Sequence, residues 1–142
     1  MNLTFNVERL LLPVSIDLQE KLSSLANEEG VASTTTAVVF NFRETSYSAE
    51  EGGWHPVEIR IEQTQGQWAF SYITDFAYCG GAFPELVKEV DFCFDSGVAH
   101  FSYVPELPIA SSEVMEFYSI WESNFLSYID MDVFDEIKVT LY

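Results

Sequence analysis

Hydrophobic and polar residues alternate most clearly in the middle of the chain, between residues 52 and 81. In segment 57–62 every second residue is apolar and the residues between them are charged. Segment 68–73 alternates in the same way, with Trp68, Phe70 and Tyr72 expected on one face. A period of two is typical of a half-buried strand. Residues 63–66 separate the two segments, so the pattern predicts a β-hairpin at the centre of an antiparallel sheet.

Five other segments predict strands. Residues 34–43 place Thr36, Val38, Phe40 and Phe42 on one face, and residues 86–95 do the same for Leu86, Val90, Phe92 and Phe94. A turn at residues 95–97 leads into a strand over 98–104. Residues 3–7 predict a short edge strand, and residues 137–141 predict a terminal strand at the edge of the sheet. Pro105 and Pro108 cannot donate ladder hydrogen bonds, so we expect the sheet region to end there.

Two segments have helical periodicity. The first covers residues 15–29, with Ser15 as the candidate N-cap and Gly30 at the end. The second covers residues 112–129, where apolar side chains recur three and four residues apart. A run of strands with segregated helices is typical of the α+β class. We therefore predict a twisted antiparallel β-sheet flanked by an N-terminal and a C-terminal helix, with the helices on one face.

Composition narrows the possible partners. The chain has 142 residues, of which 48% are hydrophobic, and is interpreted as a single acidic α+β domain over 1–142. Its 23 acidic residues exceed its 6 basic ones, for a net charge of −17. Such a field repels nucleic acid and anionic membranes and attracts basic proteins. Because the sequence has no signal peptide pattern and no long apolar run, we expect a cytoplasmic location.

No sequence motif predicts an active site. The chain lacks a nucleophile elbow and a glycine-rich phosphate loop, and its two histidines are His55 and His100. We interpret His55 as a structural residue at a strand entrance. The alternative is a small enzyme that uses Trp54, His55 and Asp75 in one pocket.

Metal and cofactor sites are also not indicated. Cys79, Cys93 and His100 do not have the spacing of a zinc site, because closely paired cysteines are missing. We interpret both cysteines as reduced core residues. Four acidic residues lie within 130–136, but the glycine of a calcium loop is absent there, so we expect a solvated turn. The sequence predicts no cofactor and no metal.

Several segments carry a resemblance to a known family: NFRETSYSAEEGGWHPVEIRIE, YITDFAYCGG, LVKEVDFCFDSG and IWESNFLSYIDMDVFDEIKVT. Together they resemble a bacterial domain-of-unknown-function family met on genomic and pathogenicity islands of Vibrio-type bacteria, over residues 41–140. That family is similar in structure to the mitochondrial acidic matrix protein, the globular-head complement receptor. The resemblance implies an oligomeric acidic binding protein with a twisted antiparallel sheet and without an established active site.

These observations lead to one functional hypothesis and two alternatives. The hypothesis is a non-enzymatic acidic protein-interaction module that forms a homo-oligomer and binds basic protein surfaces, including a host complement component. The candidate interaction or pocket residues are Trp54, His55, Arg60 and Asp75. One alternative is a DNA mimic that inhibits a DNA-binding protein, and the other is the small enzyme described above.

Overall fold

The computed structural model describes residues 3–80, 82–102 and 104–142. The helices are α1 (Ile16–Glu29) and α2 (Ser112–Asp130), and a short 3-10 helix covers Val7–Arg9. The strands are β1 (Ala37–Arg43), β2 (Val57–Thr64), β3 (Gln67–Cys79), β4 (Glu85–Cys93), β5 (Val98–Phe101), β6 (Val104–Pro108) and β7 (Glu136–Leu141). They form a seven-stranded sheet in the order β6-β5-β4-β3-β2-β1-β7, and every neighbouring pair is antiparallel.

Both helices pack on the same face of the sheet. Leu18 and Leu22 of α1 are fully buried in the core cluster that includes the inward side chains of the strands. On α2, the Phe125 ring meets Phe42 of β1 edge-on, with 5.0 Å between centroids. The predicted α+β architecture is therefore confirmed. We call the side of the sheet that faces away from the helices the outer face.

The helix ends follow the capping residues in the sequence. The Ser15 side chain accepts a hydrogen bond from the Leu18 backbone N–H, and Gly30 ends α1 with φ of 91°. The two helices are joined through Glu122 of α2, which is 6% exposed. Its Oε2 accepts from the Ser15 backbone N–H at 3.1 Å and from the Tyr118 hydroxyl at 2.6 Å. The buried carboxylate thus fixes the start of α1 against α2.

The central hairpin has a shorter turn than the sequence predicts. Residues 63 and 64 continue β2, so only Gln65 and Gly66 form the turn. Both have positive φ, 52° and 80°, which matches the twist of a two-residue hairpin.

Two β-bulges change which side chains face the core. The β2–β3 register shifts between Arg60 and Ile61, after which Tyr72 lies opposite Arg60 on the outer face. The prediction that Tyr72 shares a face with Phe70 was wrong, because a bulge inserts one residue and resets the alternation. A second shift, next to Asp75, likewise places Lys88 on the outer face.

This second bulge also divides the predicted inward row of β4. Leu86 lies opposite Tyr78 and shares the outer face with Lys88, two residues further along β4. Val90, Phe92 and Phe94, beyond the bulge, are buried in the core. The prediction that all four share a face was therefore wrong for Leu86.

The sheet does not end at the prolines, which corrects another prediction. The segment predicted as one strand over 98–104 divides into β5 and β6, and Pro105 and Pro108 lie inside β6. Pro108 pairs with Val98 in the ladder. Proline is accommodated because β6 is an edge strand, where one side of the backbone needs no partner. Gly81, at the end of the central segment 52–81, and Tyr103, which the predicted strand over 98–104 included, lie outside the described residues.

Of the two strands predicted near the ends of the chain, the structure contains only the C-terminal one. Residues 3–7 form no edge strand: Phe5 makes a single parallel bridge with Trp68, and its ring stacks on Phe70 at 5.1 Å. These residues enter the core because Leu3 and Phe5 are apolar and close to α1 and β3. The terminal strand is confirmed, since β7 pairs with β1 at the opposite edge from β6.

Candidate functional site

A cavity of about 220 Å³ opens between α2 and the loop that precedes β2. We call it the aromatic pocket. Its lining residues are Gly53, Trp54, His55, Val57, Asp75, Trp121, Asn124, Phe125, Tyr128 and Phe134. Five of these ten residues are Trp, Tyr or Phe, and Asp75 is the only one of the ten with a carboxylate.

The loop between β1 and β2 holds Trp54 at the pocket through one carboxylate. Glu44 Oε2 accepts a hydrogen bond from the Trp54 backbone N–H at 2.7 Å. Gly53, just before Trp54, has φ of 136°, and a Cβ there would lie 2.9 Å from the same carboxylate oxygen. A side chain at this position would therefore strain the backbone and displace Glu44.

Aromatic rings from the loop and from α2 form the pocket walls. The Trp54 ring lies 4.4 Å from the Tyr128 ring at an angle of 43°. Trp121 stacks on Phe125 with centroids 5.1 Å apart. Tyr128 and Trp121 lie seven residues apart on α2, so two helical turns place both rings toward the pocket.

Asp75 of β3 lies at the base of the pocket and accepts two side-chain hydrogen bonds. His55 Nδ1 lies 2.9 Å from its Oδ1, and Trp121 Nε1 donates to its Oδ2 at 3.1 Å. Because a carboxylate only accepts, the imidazole carries its hydrogen on Nδ1. The Asp75 side chain is 16% exposed and that of His55 is 41% exposed, so solvent reaches both groups, the imidazole more than the carboxylate.

The environment of His55 favours its protonated form. The hydrogen bond to Asp75 is the largest cause that raises the pKa of His55, and the negative charges of Asp75 and Glu89 add to it. Partial burial of the imidazole opposes this rise. The Tyr47 ring packs on the imidazole at 5.6 Å. The pocket therefore contains a histidine–carboxylate pair that is close to neutral when His55 is protonated.

The structure brings three of the four predicted site residues together. Trp54, His55 and Asp75 all line the aromatic pocket, as the enzyme alternative requires. Arg60 lies elsewhere, on the outer face, where it hydrogen-bonds to Glu62 and to Ser71 in the first bulge. The hydrogen bonds from Arg60 and Ser71 lower the pKa of Glu62.

Sequence reasoning missed the pocket residues on α2. Trp121 and Tyr128 belong to an aromatic stripe that the helical period assigns to the core. No local pattern in the sequence distinguishes these two residues from the other aromatic residues of the stripe.

The outer face collects most of the basic side chains. Four of the six lysine and arginine residues point away from the helices: Arg43, Arg60, Lys88 and Lys138. Acidic side chains lie between them and are hydrogen-bonded: Glu58 accepts from the Tyr72 hydroxyl at 2.6 Å, and Asp91 from Thr74 at 2.8 Å. Charges of both signs therefore mix on this face.

The helical side is acidic. Seven exposed acidic residues, which we call the acidic helix face, lie on the two helices: Asp17, Glu20, Glu28, Glu29, Glu113, Glu116 and Asp130. Lys21 is the one basic residue in these two helices. Asp17, Glu20 and Asp130 line a groove of about 340 Å³ together with Lys21. The exposed carboxylates of the helices therefore have little positive charge beside them to offset their own.

The structure separates the residues considered for a metal. Cys79 is exposed at the end of β3, whereas Cys93 lies opposite Tyr72, on the same outer face as His100. Within the described ranges, no group of three or more His, Cys, Asp or Glu residues is arranged to hold a metal ion.

One member of the acidic segment 130–136 has a structural role. Asp135 accepts hydrogen bonds from the Thr45 backbone N–H at 2.7 Å and from its hydroxyl at 2.5 Å, and these bonds lower the pKa of Asp135.

In the part of the chain that the structure describes, neither helix has the length and apolar character needed to cross a membrane.

Comparison with known proteins gives a family and a fold. A family model described as a protein of unknown function, DUF2787, matches residues 15–140. No curated protein matches the chain.

Two solved structures from Vibrio cholerae are similar over most of their length. A hypothetical protein from the VSP-II pathogenicity island has 45% identity and a TM-score of 0.90, and the match covers 99% of each chain. A conserved hypothetical protein from pathogenicity island VPI-2 has 44% identity and a TM-score of 0.81, over 91% of this chain and 95% of that one. The second is described as sharing structural homology with the human P32 protein. The predicted resemblance is confirmed for the family and for the fold.

Proposed function

The chain belongs to the DUF2787 family, and from that premise we propose that it is a non-enzymatic acidic module that binds basic protein surfaces. The observation that carries the proposal is the uneven distribution of the basic residues, which leaves the exposed carboxylates of the helices largely without opposite charges beside them. The acidic helix face holds seven exposed carboxylates beside one lysine, whereas the outer face holds four of the six basic residues. A partner with a basic surface would therefore dock on the helical side.

The groove between the helices gives this surface a shape. Asp17 and Glu20 of α1 and Asp130 of α2 line it from both sides. A strip of negative charge in a concave surface concentrates the field and raises the association rate of basic partners. Because these side chains are exposed, each contact is weak and is screened by salt. Binding is expected to depend on many such contacts acting together.

Titration with an oligolysine peptide tests this function. We expect the dissociation constant to rise steeply as NaCl increases from roughly 0.05 to 0.5 M, because the screening length shortens as the ionic strength rises. The triple variant D17N/E20Q/D130N should bind the peptide more weakly than the unchanged protein. Binding that is insensitive to salt would contradict a role for charge.

A matched variant controls for net charge. Glu50, Glu51 and Glu85 are exposed acids outside the helices, so E50Q/E51Q/E85Q changes the net charge by the same amount. We expect this variant to lose less affinity than the groove variant. Equal losses would show that only the total charge matters and that the helical side is not the binding face.

The identity of the physiological partner is part of the proposal. The likeness to the complement receptor family supports a host complement-type protein with a basic surface, and one neighbour is described as sharing structural homology with the human P32 protein. The DNA-mimic alternative predicts a different result in a capture experiment. Its captured partners would be DNA-binding proteins, and duplex DNA would release them.

Self-association is the second element of the proposal. Ile120 of α2 is 65% exposed and Met115 is 37% exposed, so part of this helix presents apolar surface to solvent. We propose that these side chains contact a second copy of the chain. Light scattering should give the mass of a homo-oligomer for the unchanged protein and a lower mass for I120E; a monomeric unchanged protein would contradict this element.

The enzyme alternative keeps one specific observation in its favour. Trp54, His55 and Asp75 do meet in a cavity, and the imidazole is oriented by a carboxylate as in a general base. The described lining residues include no serine, threonine, cysteine or lysine to act as a nucleophile. The pocket residues thus fit binding and orientation better than covalent catalysis.

A further inference from the structure

We propose that the aromatic pocket receives the cationic head of a lysine or arginine side chain from the basic partner. This inference rests on the proposed function and assigns one specific contact to it. The groove on α1 and α2 would supply the diffuse attraction, and the pocket on the other flank of α2 would supply the anchor.

The pocket walls suit an organic cation with an apolar stem. Trp54 and Tyr128 lie with their rings 4.4 Å apart at the mouth, and Trp121 continues the aromatic wall along α2. The face of an aromatic ring carries partial negative charge and attracts ammonium and guanidinium groups, most strongly in the case of tryptophan. The methylene groups of lysine or arginine would pack against the same rings.

The charge at the base of the pocket has the matching sign. Asp75 is the one carboxylate among the described lining residues, and none of them is lysine or arginine. Trp121 and His55 occupy one site on each of its oxygens, which leaves further acceptor capacity toward the cavity. At a pH above the folded pKa of His55 the imidazole is neutral, and the pocket then carries a single negative charge. An anionic ligand would meet both this charge and the net charge of −17.

The size of the cavity favours one side chain over a larger ligand. Pockets for drug-sized ligands and cofactors have volumes of about 300–1,000 Å³. At about 220 Å³, the aromatic pocket is smaller than this range. It is also open to solvent beside Trp54, which is 37% exposed, so a side chain on a partner's surface can enter.

Nuclear magnetic resonance (NMR) with small probes tests the pocket directly. The probes are N-acetyl-arginine methylamide, N-acetyl-lysine methylamide and the neutral N-acetyl-citrulline methylamide. We expect the arginine or the lysine probe to shift the Trp121 indole N–H and the His55 ring signals, and to bind about tenfold tighter than citrulline. Equal binding of arginine and citrulline, or shifts confined to other regions, would overturn the proposal.

Two variants separate charge from shape. In D75N the side chain can still accept from Trp121 but has lost its charge, so the preference for arginine over citrulline should disappear. In W54L an aromatic wall is removed while Asp75 remains, so binding of the cationic probes should weaken. D95N, an exposed acid outside the pocket, is the matched control and should keep the full preference.

The outcome can be told apart from a failure of the proposed function. If the probes do not shift the NMR signals of the pocket residues while oligolysine still binds in a salt-dependent way, the pocket inference is wrong but the proposed binding of basic proteins stands. If the probes bind at the pocket while oligolysine does not bind the helical side, the pocket stands as a small-cation site and the proposed function is wrong.

Discussion

Nδ1 of His55 lies 2.9 Å from Oδ1 of Asp75, although twenty residues separate them in the chain. The loop before β2 and the middle of β3 meet at this contact. The pair sets the charge of the aromatic pocket, because protonation of His55 neutralises the carboxylate beside it. Both the stability of the fold and the affinity for a cation should therefore depend on pH.

The first prediction concerns this pH dependence. In the unfolded chain the imidazole pKa is about 6.5, and in the folded protein the hydrogen bond to Asp75 raises it. The stabilising contribution is therefore fully present below the unfolded pKa and is lost as the pH rises through the folded pKa. Since the imidazole is 41% exposed, we expect only about 0.5 kcal/mol after allowance for solvent screening.

Urea unfolding of the unchanged protein, H55N and D75N across this pH range measures the contribution. The charges of Asp75 and Glu89 and the Tyr47 ring are the groups that face the imidazole. The difference in the free energy of unfolding between the unchanged protein and H55N should shrink as the pH rises. In D75N, which lacks the carboxylate partner of His55, the free energy of unfolding should not show this loss with rising pH. A difference that grows with pH would have the wrong sign for this pair.

The second prediction concerns the buried link between the helices. Glu122→Ala would leave the Ser15 backbone N–H and the Tyr118 hydroxyl without their acceptor, at an expected cost of about 2–4 kcal/mol in the free energy of unfolding. Glu122→Gln keeps an acceptor oxygen and should cost less. Glu116→Ala, an exposed acid on the same helix, should stay within about 0.5 kcal/mol. Chemical denaturation of the three variants provides the comparison.

The third prediction concerns the glycine that positions Trp54. Gly53→Ala introduces a Cβ 2.9 Å from Glu44 Oε2 at a φ of 136°, so we expect a loss of about 1–3 kcal/mol. Gly52→Ala also has positive φ, 73°, but no atom lies within 4 Å of its Cβ, so its loss should be smaller. Thermal unfolding gives the cost, and tryptophan fluorescence reports the displacement of Trp54. Equal losses would mean that the contact with Glu44 has no effect.

The fourth prediction compares two phenylalanines. Phe92 is fully buried and its ring contacts those of Tyr118, Trp121, Phe101 and Phe117. Phe92→Ala should cost about 3–5 kcal/mol through lost contacts and a cavity. Phe83 is 90% exposed, so Phe83→Ala should change the stability by less than about 0.5 kcal/mol. A small loss at Phe92 would show that the core collapses around the gap.

Alternation and capping residues were enough to predict most of the fold. Ser15 and Gly30 mark the ends of α1, and the apolar rows of β1 and β2 face the core as their period of two predicts. The sequence could not reveal the bulges, because an inserted residue such as Ser71 looks in the sequence like any other residue of the strand. The sequence also did not reveal β6. Proline is excluded from central strands but tolerated at an edge, and only the order of strands in the sheet shows that β6 is an edge strand.

The candidate site was predictable only in part. Trp54, His55 and Asp75 are polar or aromatic residues near a strand entrance, so local chemistry singled them out. Trp121 was not singled out, because its role depends on where α2 crosses the sheet, which no local pattern specifies. Arg60 was also predicted as a site residue, but it lies on the outer face, where its guanidinium donates a hydrogen bond to Glu62.

Basic partners are proposed to dock on the helical side, and NMR can map where an added peptide contacts the protein. Amide shifts are recorded while an oligolysine peptide is added at low salt, and again after NaCl is raised. We expect the shifts to cluster on α1 and α2 and at the pocket residues Trp54 and His55, and to fade as salt increases. Shifts that cluster on the outer face, around Lys88 and Lys138, or that persist unchanged at high salt, would contradict it.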